Sequence, residues 1–261
     1  MNFCVLLFYW ATGGGAVSLH NRLMSLPTTV ATTVSESQWI LTAEEYAALP
    51  GYKRIGEREE NHLRYQASGL VQNLGMRLKL PQVTIATAQV FLHRFYIRES
   101  FQSFPYAELA PAALFLASKA DEHPRKIKDI FIAQDFALDD SRAIDRLVKL
   151  EKIILQTLCF DLVVTHPYRF VFRLVKGLRE VSDELVQSAW IVVNDSYRTA
   201  LCIRFPPKTL AAAAIFFAAR KKDMDVALLA GDAIDETTIF ECSRNDIEGN
   251  PRPTKVLFTI F

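Results

Sequence analysis

Paired cysteines, glycine-rich phosphate loops, long apolar runs and an excess of either charge are all missing from this sequence. Its four cysteines, Cys4, Cys159, Cys202 and Cys242, are scattered over 261 residues. No spacing among them matches a zinc site or a redox pair, so they read as free thiols in a reducing compartment. The formal net charge is +1, which gives no electrostatic reason to expect a membrane surface or direct nucleic acid as partner. Gly13 to Gly15 lack the spacing and the preceding strand of a phosphate loop. The five histidines, His20, His62, His93, His123 and His166, show no metal-ligand spacing, so no metal and no cofactor is expected.

The apolar stretch Met1 to Ala11 has no Lys or Arg before it and is too short to span a bilayer. It reads as a leader rather than a signal peptide, and residues 1–38 as an unstructured region that ends in the polar linker Thr28 to Ser37. Catalytic constellations are missing too. His93-Arg94-Phe95 shares two letters with a kinase catalytic loop but lacks its aspartate base. No Ser, His and acid set can be assembled, which favours a binding protein over an enzyme.

What is present is the composition of an ordinary globular protein, 50% hydrophobic and 23% charged, long enough for one or two cores. Its centre of gravity is Phe104 to Asp129. From Tyr106 to Ala120, Ala, Leu and Phe occupy nearly every side, which predicts a buried helix. Pro105 stands at its start, Glu108 near its positive end and Lys119 near its negative end, and Pro124 forbids continuation. The same pattern recurs at Phe205 to Lys222. An offset of 101 residues pairs Phe104 with Phe205, Pro105 with Pro206, Leu109 with Leu210, Ala113 with Ala214, Phe115 with Phe216 and Ala117 with Ala218. Upstream it pairs Tyr96 with Tyr197 and Ala88 with Ala189. Solenoid units run roughly 20 to 50 residues, so two copies of one small helical domain is the better reading.

Around these two helices the chain reads as all-α. Thr42-Ala43-Glu44-Glu45 forms a capping box, and its helix is expected to run to about Leu49, where Pro50-Gly51 breaks it. A helix from about Glu57 to Leu78 carries Leu63, Ala67, Leu70, Val71 and Leu74 on one face, with Arg64 at the edge of that stripe. Val83 to about Ser100 follows, containing His93 and Arg94. A short helix from Ile127 to about Ala133 precedes a long one, capped by Asp139-Asp140-Ser141 and running through Leu158. Its inward stripe is Ile144, Leu147, Val148, Glu151, Ile154, Leu155 and Leu158. In the second copy, helices are expected at Tyr168 to Leu178, Ser182 to Thr199 and Pro206 to Lys222. Residues 223–261 break the pattern and form an atypical tail.

Two charges stand out. Lys119 either complements its helix's negative end and pairs with Glu122, or reaches a partner on another helix. Glu151 sits in an apolar stripe whose neighbours three and four residues away offer no cation, so it either snorkels or is paired from elsewhere. The sharper reading puts both on adjacent helices bordering one groove.

Five separated segments now carry a resemblance. They are Leu78 to Phe101, Leu116 to Ile130 (LASKADEHPRKIKDI), Leu150 to Leu162 (LEKIILQTLCFDL), His166 to Phe170 and Ala189 to Thr199. Together they resemble the cyclins, and specifically the transcription-associated types K, T and L. The resemblance covers about Trp39 to Lys222. It implies tandem cyclin-box helical domains: an N-terminal helix and first box over residues 39–162, and a partial second box over 163–222. It implies further that Lys119 and Glu151 contact a kinase, with Leu116, Leu155 and Leu162 at the apolar positions on which the kinase's regulatory helix packs. Arg64 matches the family's first-helix arginine, and His93 occupies the position of its usual acidic partner, as in other members of the transcriptional branch.

By this resemblance the chain is a nuclear, noncatalytic activator of a cyclin-dependent kinase acting on the C-terminal domain of RNA polymerase II, with the transcription machinery as a wider partner. Three alternatives stand beside it. A cyclin-fold general transcription factor calls for a basic face and often a zinc ribbon. An all-α enzyme calls for a convergent polar pocket. The third is a chain whose incomplete second box prevents stable folding.

Overall fold

The computed structural model describes residues 38–135, 141–176 and 182–222. The expectations for residues 1–37, Asp139, Asp140, Leu178 and the 223–261 tail fall outside those ranges. Among the described residues there are helices and no strands. They are α1 (Ala43–Ala47), α2 (Pro50–Ile55), α3 (Glu57–Arg77), α4 (Gln82–Arg98), α5 (Tyr106–Ala120), α6 (Ile127–Ala133) and α7 (Ser141–Thr157). After these come α8 (Pro167–Val175), α9 (Asp183–Ser196), a 3-10 turn at Ala200–Ile203 and α10 (Pro207–Lys221). No described helix is long and apolar enough to cross a membrane.

The capping box forms as expected. The Glu45 N–H donates to Thr42 Oγ1 at 3.2 Å, and the Thr42 N–H to Glu45 Oε2 at 2.8 Å. Helix α1 stops at Ala47, however, and Pro50-Gly51 begins α2 rather than ending structure. Proline's fixed φ suits a first helical turn, where its missing N–H is no loss. Gly51 is required there, because a Cβ on it would stand 1.8 Å from Glu60 Oε2.

The first core is built on α5, buried without interruption from Leu109 to Ser118, with α3, α4 and α7 packed around it. Helix α4 has a larger role than its sequence advertises. Every residue from Thr84 to Tyr96 is buried. Ile85, Phe91, Leu92 and Phe95 enter the first core, while Ala86 and Val90 enter a second one with α8, α9 and α10. Its polar side chains find partners inside, Gln89 Oε1 excepted. Gln89 Nε2 donates to the Ser68 carbonyl at 3.1 Å, and Arg94 Nη1 to that of Val163 at 3.3 Å.

The offset of 101 residues holds in three dimensions. Helices α5 and α10 are both 15 residues long and start at Tyr106 and Pro207. Tyr96 and Tyr197 are both buried, as are Ala88 and Ala189, Leu109 and Leu210, Ala113 and Ala214, and Ala117 and Ala218. Two pairs differ: Phe115 is buried and Phe216 half-buried, while Phe104 is half-buried and Phe205 buried. Helix α9 is shorter than expected. It stops at Ser196, and the chain turns through Ala200–Ile203, where Ile203 accepts the N–H of Leu41 at 2.8 Å.

Two stripe assignments need correction. Val148, expected inward on α7, is exposed, and Leu150 takes the buried place. Arg64, expected at the edge of the α3 stripe, lies at its centre with 1% exposure, because buried hydrogen-bond partners satisfy its whole guanidinium.

Candidate functional site: an ion pair across two helices

Lys119, in the last turn of α5, forms an ion pair with Glu151 in the middle of α7. The lysine side chain is 42% exposed and the glutamate 11%. The competing pairing with Glu122 does not form. Helix α5 ends at Ala120, and Glu122 turns away with φ 59. The Lys119 ammonium also stands 4.2 Å from the centroid of the Phe115 ring, whose negative face favours a cation. One exposed lysine and one largely buried acid are thus held in a fixed relation, with ammonium protons left for another molecule.

The predicted apolar residues fall at different depths. Leu155, one turn beyond Glu151, and Leu162 are half-buried and pack on the first core from its rim. Leu116 is buried within that core, beneath Lys119. Three exposed apolar residues that sequence reasoning did not assign to the site lie along the same stretch of chain. Val148 lies one turn before Glu151, while Phe160 and Val163, 69% and 65% exposed, follow α7. No pattern reveals Phe160, since Phe-Asp-Leu after a helix reads as an ordinary return to the core.

What exposes Phe160 is the turn. Cys159 and Phe160 both have left-handed backbones, with φ 53 and 60, an uncommon conformation for residues other than glycine. The Phe160 N–H reaches back to the Leu155 carbonyl at 2.9 Å. From α4, Arg98 Nη1 donates to the Thr157 carbonyl at 2.7 Å and to Cys159 Sγ at 2.9 Å. Next along, Asp161 Oδ2 accepts from Trp39 Nε1 at 2.8 Å and Gln38 Nε2 at 2.9 Å. The Trp39 ring lies 5.0 Å from the guanidinium of Arg94 and 5.2 Å from that of Arg98. The segment before α1 therefore clamps the turn that presents Phe160.

Arg64 and His93 come together as a structural pair deep in the fold, and the acid is supplied by a residue not singled out in the sequence. Arg64 Nε donates to Glu60 Oε1 at 2.9 Å, one turn back on the same helix. Its other nitrogens reach the carbonyls of His93 at 3.2 Å and Tyr96 at 2.9 Å. His93 Nε2 lies 2.9 Å from the Tyr197 carbonyl. A carbonyl can only accept, so that nitrogen carries the proton and Nδ1, 3.3 Å from Arg64 Nη1, is the acceptor. Burial, then the Arg64 charge, lowers the His93 pKa to about 3 and keeps the ring neutral. Burial pushes the Glu60 carboxyl upward, more than Arg64 pulls it down.

Among the described residues, no group of three or more His, Cys, Asp or Glu is placed to hold a metal. A groove of about 470 Å³ between the start of α5 and α7 is lined by Ser103, Glu108, Arg146 and Ile153 among others. Glu108 is spent on Arg146 at 2.6 Å.

The sequence model described as "Cyclin, N-terminal domain" matches residues 36–163. Cyclin pch1 of Schizosaccharomyces pombe is 34% identical over 205 residues, which are 73% of this chain and 60% of that protein. Cyclin-T1 of Homo sapiens is 33% identical over 206 residues, 74% of this chain and 28% of that protein. The chain thus spans less than two thirds of the length of these curated relatives. A chain of the yeast RNA Pol II CTD kinase CTDK-1 complex superposes with a TM-score of 0.63 at 18% identity, covering 85% of this chain and 81% of that one. That likeness concerns the fold.

Proposed function

The chain belongs to the cyclin family through its N-terminal domain at residues 36–163, and on that premise we propose that it is a noncatalytic subunit that binds and activates a cyclin-dependent kinase. The kinase it serves acts on the C-terminal domain of RNA polymerase II, which places the complex in the nucleus with the transcription machinery. Residues 163–222 serve as a partial second cyclin box.

The observation that carries this reading is the Lys119 and Glu151 pair, set across α5 and α7, with exposed Val148 one turn before Glu151 and exposed Phe160 and Val163 in the segment that follows α7. A half-exposed ion pair contributes at most about 1 kcal/mol to stability, so folding alone is a poor reason for it. As a docking point it is well made. One ammonium proton is used internally and the others remain for carbonyls or acids on the kinase's helix, while the apolar side chains supply burial.

An inactive kinase lacks its own internal Lys and Glu ion pair, which the chemistry of phosphoryl transfer requires. A partner that binds only the assembled state shifts the equilibrium toward it. Moving the population from 1:99 to 99:1 requires about 5.5 kcal/mol of preferential binding, within reach of an interface on the order of 2,000 Å². The cyclin contributes binding energy and no reacting group.

The test is recovery of a kinase from nuclear extract on the full chain, assayed on a polymerase C-terminal-domain peptide, with and without Lys119→Ala and Glu151→Ala together. The double variant should lose the activity while its helical circular dichroism stays unchanged. Full activity in the double variant, or a folded parent that recovers no kinase, would refute the proposal.

A further inference from the structure

Immediately after Lys119 the chain enters a turn that is tied to another turn by a single guanidinium. Arg125 donates from Nε to the carbonyl of Leu78 and from Nη2 to that of Lys79, both at 3.3 Å. The α3–α4 turn and the α5–α6 turn therefore form one surface at this end of the first bundle. Lys79, Lys126 and Lys128 stand on it, all exposed, and none has an ion-pair partner among the described residues.

Their backbones are fixed. Lys79 has φ 52, in a turn where the Leu80 N–H returns to the Gly75 carbonyl at 3.0 Å. Lys126 caps α6 with an extended backbone. The nearby carboxylates are largely spent. Asp129 accepts the N–H of Lys126 at 3.2 Å, Asp135 pairs with Arg77 at 2.9 Å, and Asp121 is half-buried, with Thr87 and Thr84 as hydrogen-bond partners. Glu122 is the remaining exposed acid. Three ammonium groups thus face solvent with no carboxylate ion-paired to any of them among the described residues, in a chain whose total charge is only +1.

We propose that this surface binds a phosphorylated peptide, and that its occupant is an already phosphorylated segment of the substrate on which the proposed kinase acts. The inference rests on the kinase-activator reading, because it is that partner, docked at Lys119, which brings such a peptide to this end of the bundle. Each phosphoserine carries about −1.5 to −2 charge at neutral pH, so one or two match three ammonium groups. Lysines bind phosphate as point charges and tolerate variable geometry, as suits a repetitive substrate presented in several registers. Nucleic acid fits less well. The residues among the lysines include Leu78, Leu80, Pro124 and Ile127, the single ring of His123 is held by Thr84 at 3.3 Å and offers no run of stacking platforms, and three cations are few for a polyanion whose binding grows with each phosphate neutralised.

The test compares the parent kinase complex with one carrying Lys79→Asn, Lys126→Ser and Lys128→Gln. Asn tolerates a left-handed backbone and Ser is a good helix cap, so the fold is spared. The substrates are a polymerase C-terminal-domain peptide and the same peptide bearing two phosphoserines. The parent should show a KM about fivefold lower for the phosphorylated peptide, and the variant equal KM values, with kcat on the plain peptide unchanged. A preference that survives in the variant, or none in the parent, overturns the proposal. If the complex fails even on the plain peptide, the activator reading has failed instead. Fluorescence anisotropy of the labelled phosphopeptide with the chain alone then decides the surface by whether the triple variant loses binding. Stronger competition by an RNA oligonucleotide than by unlabelled phosphopeptide would also overturn it.

Discussion

His93 donates its Nε2 proton to the backbone carbonyl of Tyr197 at 2.9 Å, joining the first core to the second, while the Tyr197 hydroxyl lies 2.6 Å from Nδ1 of His166. His166 Nε2 in turn reaches Thr87 on α4 at 3.0 Å. One tyrosine is thus gripped at its backbone by one histidine and at its side chain by another. The two halves of the protein meet through neutral imidazoles.

Acid should therefore loosen the junction. Burial, assisted by the charges of Arg64 and Arg94, lowers both imidazole pKa values to about 3, against roughly 6.5 in an unfolded chain. Between those values the unfolded state binds more protons, so stability is full above pH 6.5 and falls as pH drops toward 3. Each imidazole contributes about 1.4 kcal/mol per pH unit in that window. Glu60 and Asp121, whose carboxyls burial raises, act in the opposite sense, so the imidazole effect is read as a difference. Urea denaturation of the parent and of His166→Gln between pH 6 and 4.5 should show a shallower pH slope in the variant. Parallel slopes would sink this assignment.

Glu60 and Gly51 should behave as one unit. Removing Glu60 leaves Arg64 charged and buried without its acid, a loss of about 3 to 5 kcal/mol. Gly51→Ala drives a methyl into the space of Glu60 Oε2, so it disrupts the same pair from the other side. The double variant Gly51→Ala, Glu60→Ala should therefore lose clearly less stability than the sum of the singles, measured by urea midpoints. Simple additivity would show that the two positions are independent.

The Trp39 clamp should matter to binding as well as to folding. Asp161→Ala removes the acceptor for Trp39 and Gln38, a change of about 1 kcal/mol for each hydrogen bond, and releases the turn that displays Phe160. Kinase affinity should fall about tenfold, the equivalent of 1.4 kcal/mol, with faster amide exchange at residues 159–163. Unchanged affinity alongside faster exchange would separate the clamp from the interface.

Much of this architecture was legible in advance. The capping box at Thr42, the buried helix from Tyr106 to Ala120 and its second occurrence from Pro207 all follow from chain-local signals: caps, prolines and apolar residues on every side. Lys119 and Glu151 were visible as anomalies, one a free cation and the other an acid in an apolar stripe. The start of α2 at Pro50 was misread because Pro-Gly marks a turn and also fits a helix start. Phe160 was illegible, because its exposure comes from left-handed backbones that the side chains do not announce.

The sequence by itself determined most of the helices, their order and their repetition, since these depend on propensity and periodicity along one dimension, and its five matching segments carried the resemblance to the family. Tertiary structure decided which helix faces meet. It placed Arg64 in the core beside Glu60, turned Lys119 to Glu151 instead of Glu122, faced Val148 outward and buried α4 in two cores at once. Those outcomes depend on where helices cross and which polar groups find partners there, and contacts between residues far apart in the chain leave no periodic trace.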